Sequence, residues 1–438
     1  MEYRGEGSSH RPADHNPEIA EQAVSALSRV RVLSFGLLLA ACTGGGAREY
    51  GSLEGPWRSE TGTTGDTVTV HTLSGSEWGT ARLVEELRIG AVEGAPHEMF
   101  GGLGALAVSP DGDILIYDAQ ATVLHRYGAD GSYLGALGGA GSGPGEYRSI
   151  AGLGVLPDRS VVLNDFGNGR FNIYAPDGSL RDTWFVRPAI AAMRPVHPHP
   201  AGGILLHDMR LVSSPATREE ILVHLDANGV PRDTLVIPYV DRRPPGLVAR
   251  TGDVTIGARL PFAAGPGWTV TAAGELAAVT GDSYAIDVFR DDGSVLRISR
   301  HVDPVPVSPE ERSAEEGRIT AFFERSAPGW RWDGPRIPET KAPVSWLHAG
   351  EDGTIWVRVA QPGSVIPEAE RLRNARTFVR EPTVFEVFER DGRFLGQVRA
   401  PDGMQLQPYP VLTREYVWAV VNDESDVSYV VRFRLQPG

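Results

Sequence analysis

The chain has almost no cysteine: Cys42 is the only one among 438 residues. One cysteine closes no internal disulfide and builds no cysteine-based metal site. Basic charge is also scarce. Against 42 lysines and arginines stand 56 aspartates and glutamates, a net charge of −14. That excess excludes a general affinity for nucleic-acid phosphates or an anionic membrane surface, and no basic cluster with interleaved aromatics overrides it. It gives a soluble, self-repelling surface. The apolar run from Val32 to Cys42 is about eleven residues, too short to cross a bilayer core of about 30 Å. No Gly-x-Ser-x-Gly elbow, phosphate-cradling loop or dinucleotide fingerprint occurs. The glycine-rich stretch Gly135–Gly145 opens no helix, which speaks against phosphate binding.

What is present is a hydrophobic fraction of 41%, ample for a core. From Gly104 to Gly138 four short apolar runs are separated by two Asp-Gly turns and one polar corner. Asp111-Gly112 and Asp130-Gly131 supply the positive backbone angle of tight hairpins. The stretch reads as a four-stranded antiparallel meander, and versions of it recur. Asp111 and Asp130 stand 19 positions apart, as do Asp158 and Asp177, and Ala273 and Asp292. Further units span about Ser149–Phe185, Met193–Pro238, Trp268–His301, Pro343–Val398 and Pro408–Leu435. The last holds three strands. Arg82–Gly90 aligns with the fourth strand of a unit and has no first three before it. Joining the two ends closes a ring, which removes the exposed end sheets of an open array. The expected fold is therefore an all-β, six-bladed β-propeller closed by an N-terminal strand.

Three insertions break the period, at about 239–267, 302–341 and 361–382. The first reads as a Pro- and Arg-rich loop. In the second, Ser308-Pro309-Glu310-Glu311 is a capping box with proline at the first helical position. It predicts a helix to about Arg325 with Ala314, Ile319, Phe322 and Phe323 on its apolar face. The helix packs on the rim of the ring or covers the channel mouth.

The N-terminal region has a different character. Arg29 and Arg31 precede the apolar run, and small residues follow it, the pattern of a secretory signal. Leu39-Ala40-Ala41-Cys42 resembles the bacterial lipobox. That resemblance implies lipidation of Cys42, with Thr43 after it favouring the outer membrane. Residues 1–42 are thus read as the signal region and 43–65 as a flexible tether. Residues 66–438 are read as the propeller, with Asp66–Leu73 an edge strand. Met1–Ser28 fits a signal poorly, and initiation at a valine codon such as Val24 is expected instead.

A family resemblance follows from the second unit. Asp165-Phe-Gly-Asn168-Gly-Arg170-Phe-Asn-Ile-Tyr174 resembles the NHL-type repeat. Gly143-Pro-Gly-Glu-Tyr147 resembles the loop entering the next blade in six-bladed propeller lipoproteins of bacteria. The resemblance covers about Arg82–Leu435 and implies fold more than function, since propellers host binding modules and enzymes alike. Asp165 is expected to accept backbone N–H bonds at its corner.

Candidate site residues are few. Phe100, Tyr147 and Phe262 each lie 11 positions before an equivalent first turn, so they should occupy matching places at one end of the ring. Trp268 and Trp346 lie near first strands. Together these aromatics serve inter-blade packing or rim a pocket for a sugar, peptide or other apolar-faced ligand. His197 and His199 are possible metal ligands without an identifiable third. No residue is nominated as catalytic. No cofactor is identified, though a channel metal such as calcium or zinc stays open. The leading expectation is a binding or scaffolding propeller for a protein, peptide, carbohydrate or small molecule. It would not bind nucleic acid and would touch the membrane through its lipid only. The alternative is a metal-dependent hydrolase, lactonase-like, or a lyase with its site in the channel.

Overall fold

The computed structural model describes residues 52–186, 196–211, 218–371 and 375–438. Cys42, the apolar run before it and the first part of the tether lie outside these residues.

Six antiparallel meanders make the body. The first is Leu103–Val108, Ile114–Asp118, Val123–Tyr127 and Tyr133–Ala136; the second is Ile150–Val155, Val161–Asp165, Arg170–Tyr174 and Leu180–Trp184. The third is His197–Pro198, Ile204–Leu211, Arg218–Leu225 and Pro231–Val236; the fourth is Gly267–Val270, Leu276–Val279, Ala285–Phe289 and Val295–Arg300. The fifth is Val344–Ala349, Ile355–Val359, Val384–Phe388 and Phe394–Arg399. The sixth has Val411–Leu412, Tyr416–Asn422 and Ser428–Gln436, and its outer strand comes from the other end of the chain. Second strands such as Ile114–Asp118 are buried at every position. Each sheet is covered on both faces by its neighbours, so apolar runs replace simple alternation.

The ring closes. Inner strands of the first and second blades meet, as do those of the second and third, the fourth and fifth, and the sixth and first. The third and fourth blades share a core of Leu205, Leu222, Trp268 and Val270. The fifth and sixth share Trp356, Phe385, Val417 and Val431. The closing strand, β3, spans Thr80–Ile89 and pairs antiparallel with the last strand, Leu87 opposite Arg432 and Arg88 opposite Val431. The fold is an all-β six-bladed propeller, with one inserted helix at its upper rim.

The edges differ from expectation. Arg58–Thr64, read as tether, is strand β1. Thr67–Ser74, read as an edge strand, is β2 and has neighbours on both sides: β1 antiparallel and Val295–Arg300 parallel. The fourth blade therefore has six strands. Thr80–Arg82 of β3 also runs parallel to Gln397–Arg399, fusing the fifth and sixth blades into one eight-stranded sheet. The Thr and Val alternation of 67–72 suits a strand on either count, and only the neighbour's position makes it internal.

In an up-and-down blade the connections alternate between the two ends of the ring. The turns between first and second strands, such as Asp111-Gly112, define the lower face. The connections between blades, and between second and third strands, lie on the upper face. All three insertions are therefore upper-face additions. The first, expected as a loop, contains a hairpin of Leu247–Thr251 and Val254–Ala258. The second carries helix α1, Pro309–Glu324, with its capping box formed: Ser308 Oγ accepts from Glu311 N at 3.1 Å and Glu311 Oε2 accepts from Ser308 N at 2.8 Å. The third forms a short ladder of Ser364–Val365 with Val379–Arg380. The buried face of α1 is Glu311, Glu315, Ile319 and Phe323, so half of it is acidic. Ala314 and Phe322 sit at its margins. A carboxylate at a core-facing position is tolerated only when it is paired, and both are.

Candidate ligand-binding site

The two interior corners of the repeat motif are structural. Asp165 Oδ1 accepts from Arg148 N at 3.0 Å, and its Oδ2 accepts from Asn168 Nδ2 at 2.6 Å. Arg170 donates to the carbonyls of Gly143 and Glu146 at 2.6 and 2.8 Å. Asp118 holds the matching loop of the first blade through Gly101 N at 2.8 Å. These side chains fix how the chain enters a blade and face no cavity.

The aromatics expected to match do not stay together. Tyr147 is fully buried between the first and second blades, where its hydroxyl accepts from Leu124 N at 2.8 Å and donates to Leu137 O at 3.0 Å. Phe100 packs between the sixth and first blades. Trp268 is buried between the third and fourth blades, with His207 at 5.0 Å and His197 at 5.8 Å between ring centroids. His199 lies at the lower end of the third blade, its ring 4.1 Å from that of His224 and tilted by 35°, its Nδ1 accepting from Ala201 N. His197 thus contacts Trp268, and His199 contacts none of these aromatics. Among the described residues no three His, Cys, Asp or Glu side chains are grouped to hold a metal ion.

Phe262 and Trp346, however, both line one upper-face chamber of about 570 Å³. Its roof is the inserted hairpin, through Leu247, Val248 and Ala258. Leu260 and Pro266 extend the apolar wall, and Lys341 and Glu381 stand at its floor. Helix α1 does not line it. Ile319 and Phe323 of α1 instead pack behind Leu247 and Ala249, so the helix buttresses the roof. Phe262 holds φ at 60°, a left-handed backbone that a bulky residue adopts only at a cost of about 1–3 kcal/mol. The fold accepts that strain with a phenylalanine in place where glycine would be unstrained. The indole N–H of Trp346 is buried and has no hydrogen-bond acceptor among the described residues. Arg243 at the rim is held by Glu220 at 2.5 Å, whereas Arg259, also lining the chamber, is exposed and has no ion pair among the described residues.

Beneath the chamber is a hub that the sequence reading did not single out. Lys341 Nζ donates to Glu311 Oε1 at 2.7 Å, Glu381 Oε1 at 2.6 Å and the Gln361 carbonyl at 2.9 Å. Three protons meet three acceptors, and the ammonium also lies 5.2 Å from the centroid of Phe262. Each acceptor comes from a different element: α1, and the two strands of chain flanking the third insertion. Glu315 adds a second clasp, accepting from Phe378 N at 2.6 Å and from Thr377 Oγ1 at 2.8 Å. One signal could have exposed the hub. Lys341 is the only lysine among the 42 basic residues. A chain that otherwise uses arginine keeps a compact ammonium where a planar guanidinium could not satisfy three converging oxygens.

Lower in the channel, His348 is pushed down to about 4 by burial, and the Glu351 carboxyl is raised by burial and then by Asp352. Both retain accessible surface. Groups on the inner wall of a ring are surrounded by protein yet open to the lumen, which explains both properties.

No family model matches the chain, and no curated protein matches it in sequence. Solved structures of similar shape do exist. A member of the DUF4221 family from Bacteroides vulgatus is 9% identical, covering 83% of this chain and 100% of that one, with a TM-score of 0.45. Virginiamycin B lyase from Staphylococcus aureus is 11% identical over 76% of this chain and 94% of its own, with a TM-score of 0.37. Regucalcin from Agrobacterium tumefaciens, a calcium-binding protein, is 9% identical over 82% and 97%, with a TM-score of 0.36. The fold assignment above rests on this chain's own strand pairing.

Proposed function

We propose that this chain is an envelope-anchored binding propeller that takes a small, largely apolar ligand in the roofed upper chamber. The observation that carries the reading is the meeting of Phe262 and Trp346 on one cavity of about 570 Å³ under an inserted hairpin. That size and apolar lining with few polar groups is the usual form of a small-molecule site. Arg259 supports a ligand that carries an anionic or strongly hydrogen-bond-accepting group at one end. A metal-assisted hydrolase or lyase would need three converging ligands, and the chamber brings none together.

The test uses 1-anilinonaphthalene-8-sulfonate, an apolar body with one anionic group. Saturable one-to-one fluorescence enhancement is expected. Arg259→Ala should weaken it about tenfold, the size of one lost hydrogen bond to a charged group. Phe262→Ala should weaken it as well. Unsaturable binding, or binding indifferent to both substitutions, would remove this reading.

Anchoring is proposed from the segment Arg29–Cys42. Expressed in a Gram-negative host, the native chain is expected in the membrane fraction and labelled by radioactive palmitate. Cys42→Ala should release it to the soluble fraction without label. Equal partitioning of the two forms would rule the anchor out.

A further inference from the structure

A second chamber of about 570 Å³ occupies the lower channel. Five blades supply its wall, through Leu106, Val155, Pro198, His348 and Tyr409. Its central feature is a group of nearly parallel rings. His348 and Tyr409 lie 5.1 Å apart with planes 14° from parallel, and Trp346, which lines the upper chamber, backs His348 at 5.2 Å and 27°. Rings at the centre of a packed ring of sheets are ordinarily sealed by neighbours, but His348 and Tyr409 keep part of their surface accessible to this chamber.

The polar groups here are unspent. The His348 imidazole, the Tyr409 hydroxyl and the Glu351 carboxyl make no side-chain hydrogen bond among the described residues. The other charges are committed. Asp352 accepts from Thr354 Oγ1 at 2.7 Å and from Arg414 N. Arg432 donates to Ala129 O at 3.1 Å and lies over the Tyr416 and Trp418 rings, 5.4 Å from each. An incoming molecule therefore meets flat π-faces, two acceptor groups in His348 and Glu351, and no uncommitted cation.

We propose that the lower chamber is a second binding site, for a small planar aromatic molecule that bears hydrogen-bond donors on its edge and no negative charge. Stacking on near-parallel rings selects planarity. His348 and Glu351, both open to the lumen, offer acceptors that donors on the ligand's edge can meet. The Glu351 carboxyl selects against anions. The proposal does not rest on ligand binding in the upper chamber, and Trp346 is the wall the two chambers share.

The test compares three probes of similar size by saturation-transfer NMR titration. Benzamide is planar, neutral and has donors; cyclohexanecarboxamide has the donors without the plane; benzoate has the plane with a negative charge. Benzamide should bind saturably and at least about tenfold tighter than either, the size of one good stacking contact against the first and of one charge-opposed contact against the second. His348→Leu, which keeps volume, and Tyr409→Phe, which keeps the ring, should each weaken benzamide. Phe262→Ala and Arg259→Ala in the upper chamber should not. Equal binding of the three probes, or benzamide binding that ignores both lower-chamber variants, or binding lost with Phe262→Ala, would overturn the proposal. A shared melting transition for all variants establishes that each is folded.

Discussion

A chain begun at Gly90 will fail to form a cooperatively folded ring, whereas one begun at Gly75 will succeed. The difference is β3. Its pairing with the last strand runs from Arg82 opposite Gln436 to Ile89 opposite Val430. Without it, the backbone groups of Ser428–Gln436 lose their outer partner, and the fifth and sixth blades lose the strand that fuses them. Ala81 and Ile89, both buried, leave the core as well. An unpaired apolar strand edge invites association with other chains. The measurement is thermal unfolding followed by circular dichroism, with size-exclusion chromatography. The Gly90 form should show no sharp transition and should elute as aggregate. The Gly75 form loses only β1 and β2 from the outside of the fourth blade, and should melt cooperatively at a lower temperature. A sharp, native-like melt of the Gly90 form would disprove closure by β3.

The second large effect concerns Lys341. Its side chain is 3% exposed, as is that of Glu311, and Glu381 is 17% exposed. Lys341→Met leaves the buried Glu311 carboxylate without its cation and Glu381 with only Arg358, 3.7 Å away, a loss of about 3–5 kcal/mol for a broken buried pair. Lys341→Arg keeps the charge but should not restore the native state, because a planar fork cannot meet three oxygens placed around one point. The damage should be local. Hydrogen exchange at the amides of α1 and of Val379–Arg380 should accelerate, while exchange in the first three blades stays slow. Adding Glu311→Gln and Glu381→Gln to Lys341→Met should recover part of the loss, since the stranded charges are then gone. Wild-type exchange rates in Lys341→Arg would show that charge alone suffices there.

Much of the architecture was legible because it is local. Asp-Gly turns at a 19-residue spacing report hairpins of equal length, and a missing fourth strand at one end with a spare one at the other reports closure. The capping box at Ser308 is equally local, and α1 starts where it directs. The site was far less legible. Equal spacing placed Phe100, Tyr147 and Phe262 in one class, yet Tyr147 became a sealed inter-blade strut while Phe262 turned into a chamber. Its neighbours are insertion residues of the upper face, which the first two blades lack. Glu311 was legible only as a capping-box residue and Glu315 carried no signal, yet both are buried partners, of Lys341 and of the Phe378 backbone.

The sequence by itself determined the number of blades, their internal pairing and the identity of the closing strand, because periodicity and turn chemistry act over a few residues. Only the tertiary structure decided what the insertions build together. Lys341 meets Glu311 across 30 positions and Glu381 across 40, and no period links those distances. The chambers belong to the same class: each is a space left between walls from different blades, and it exists only once the ring has closed.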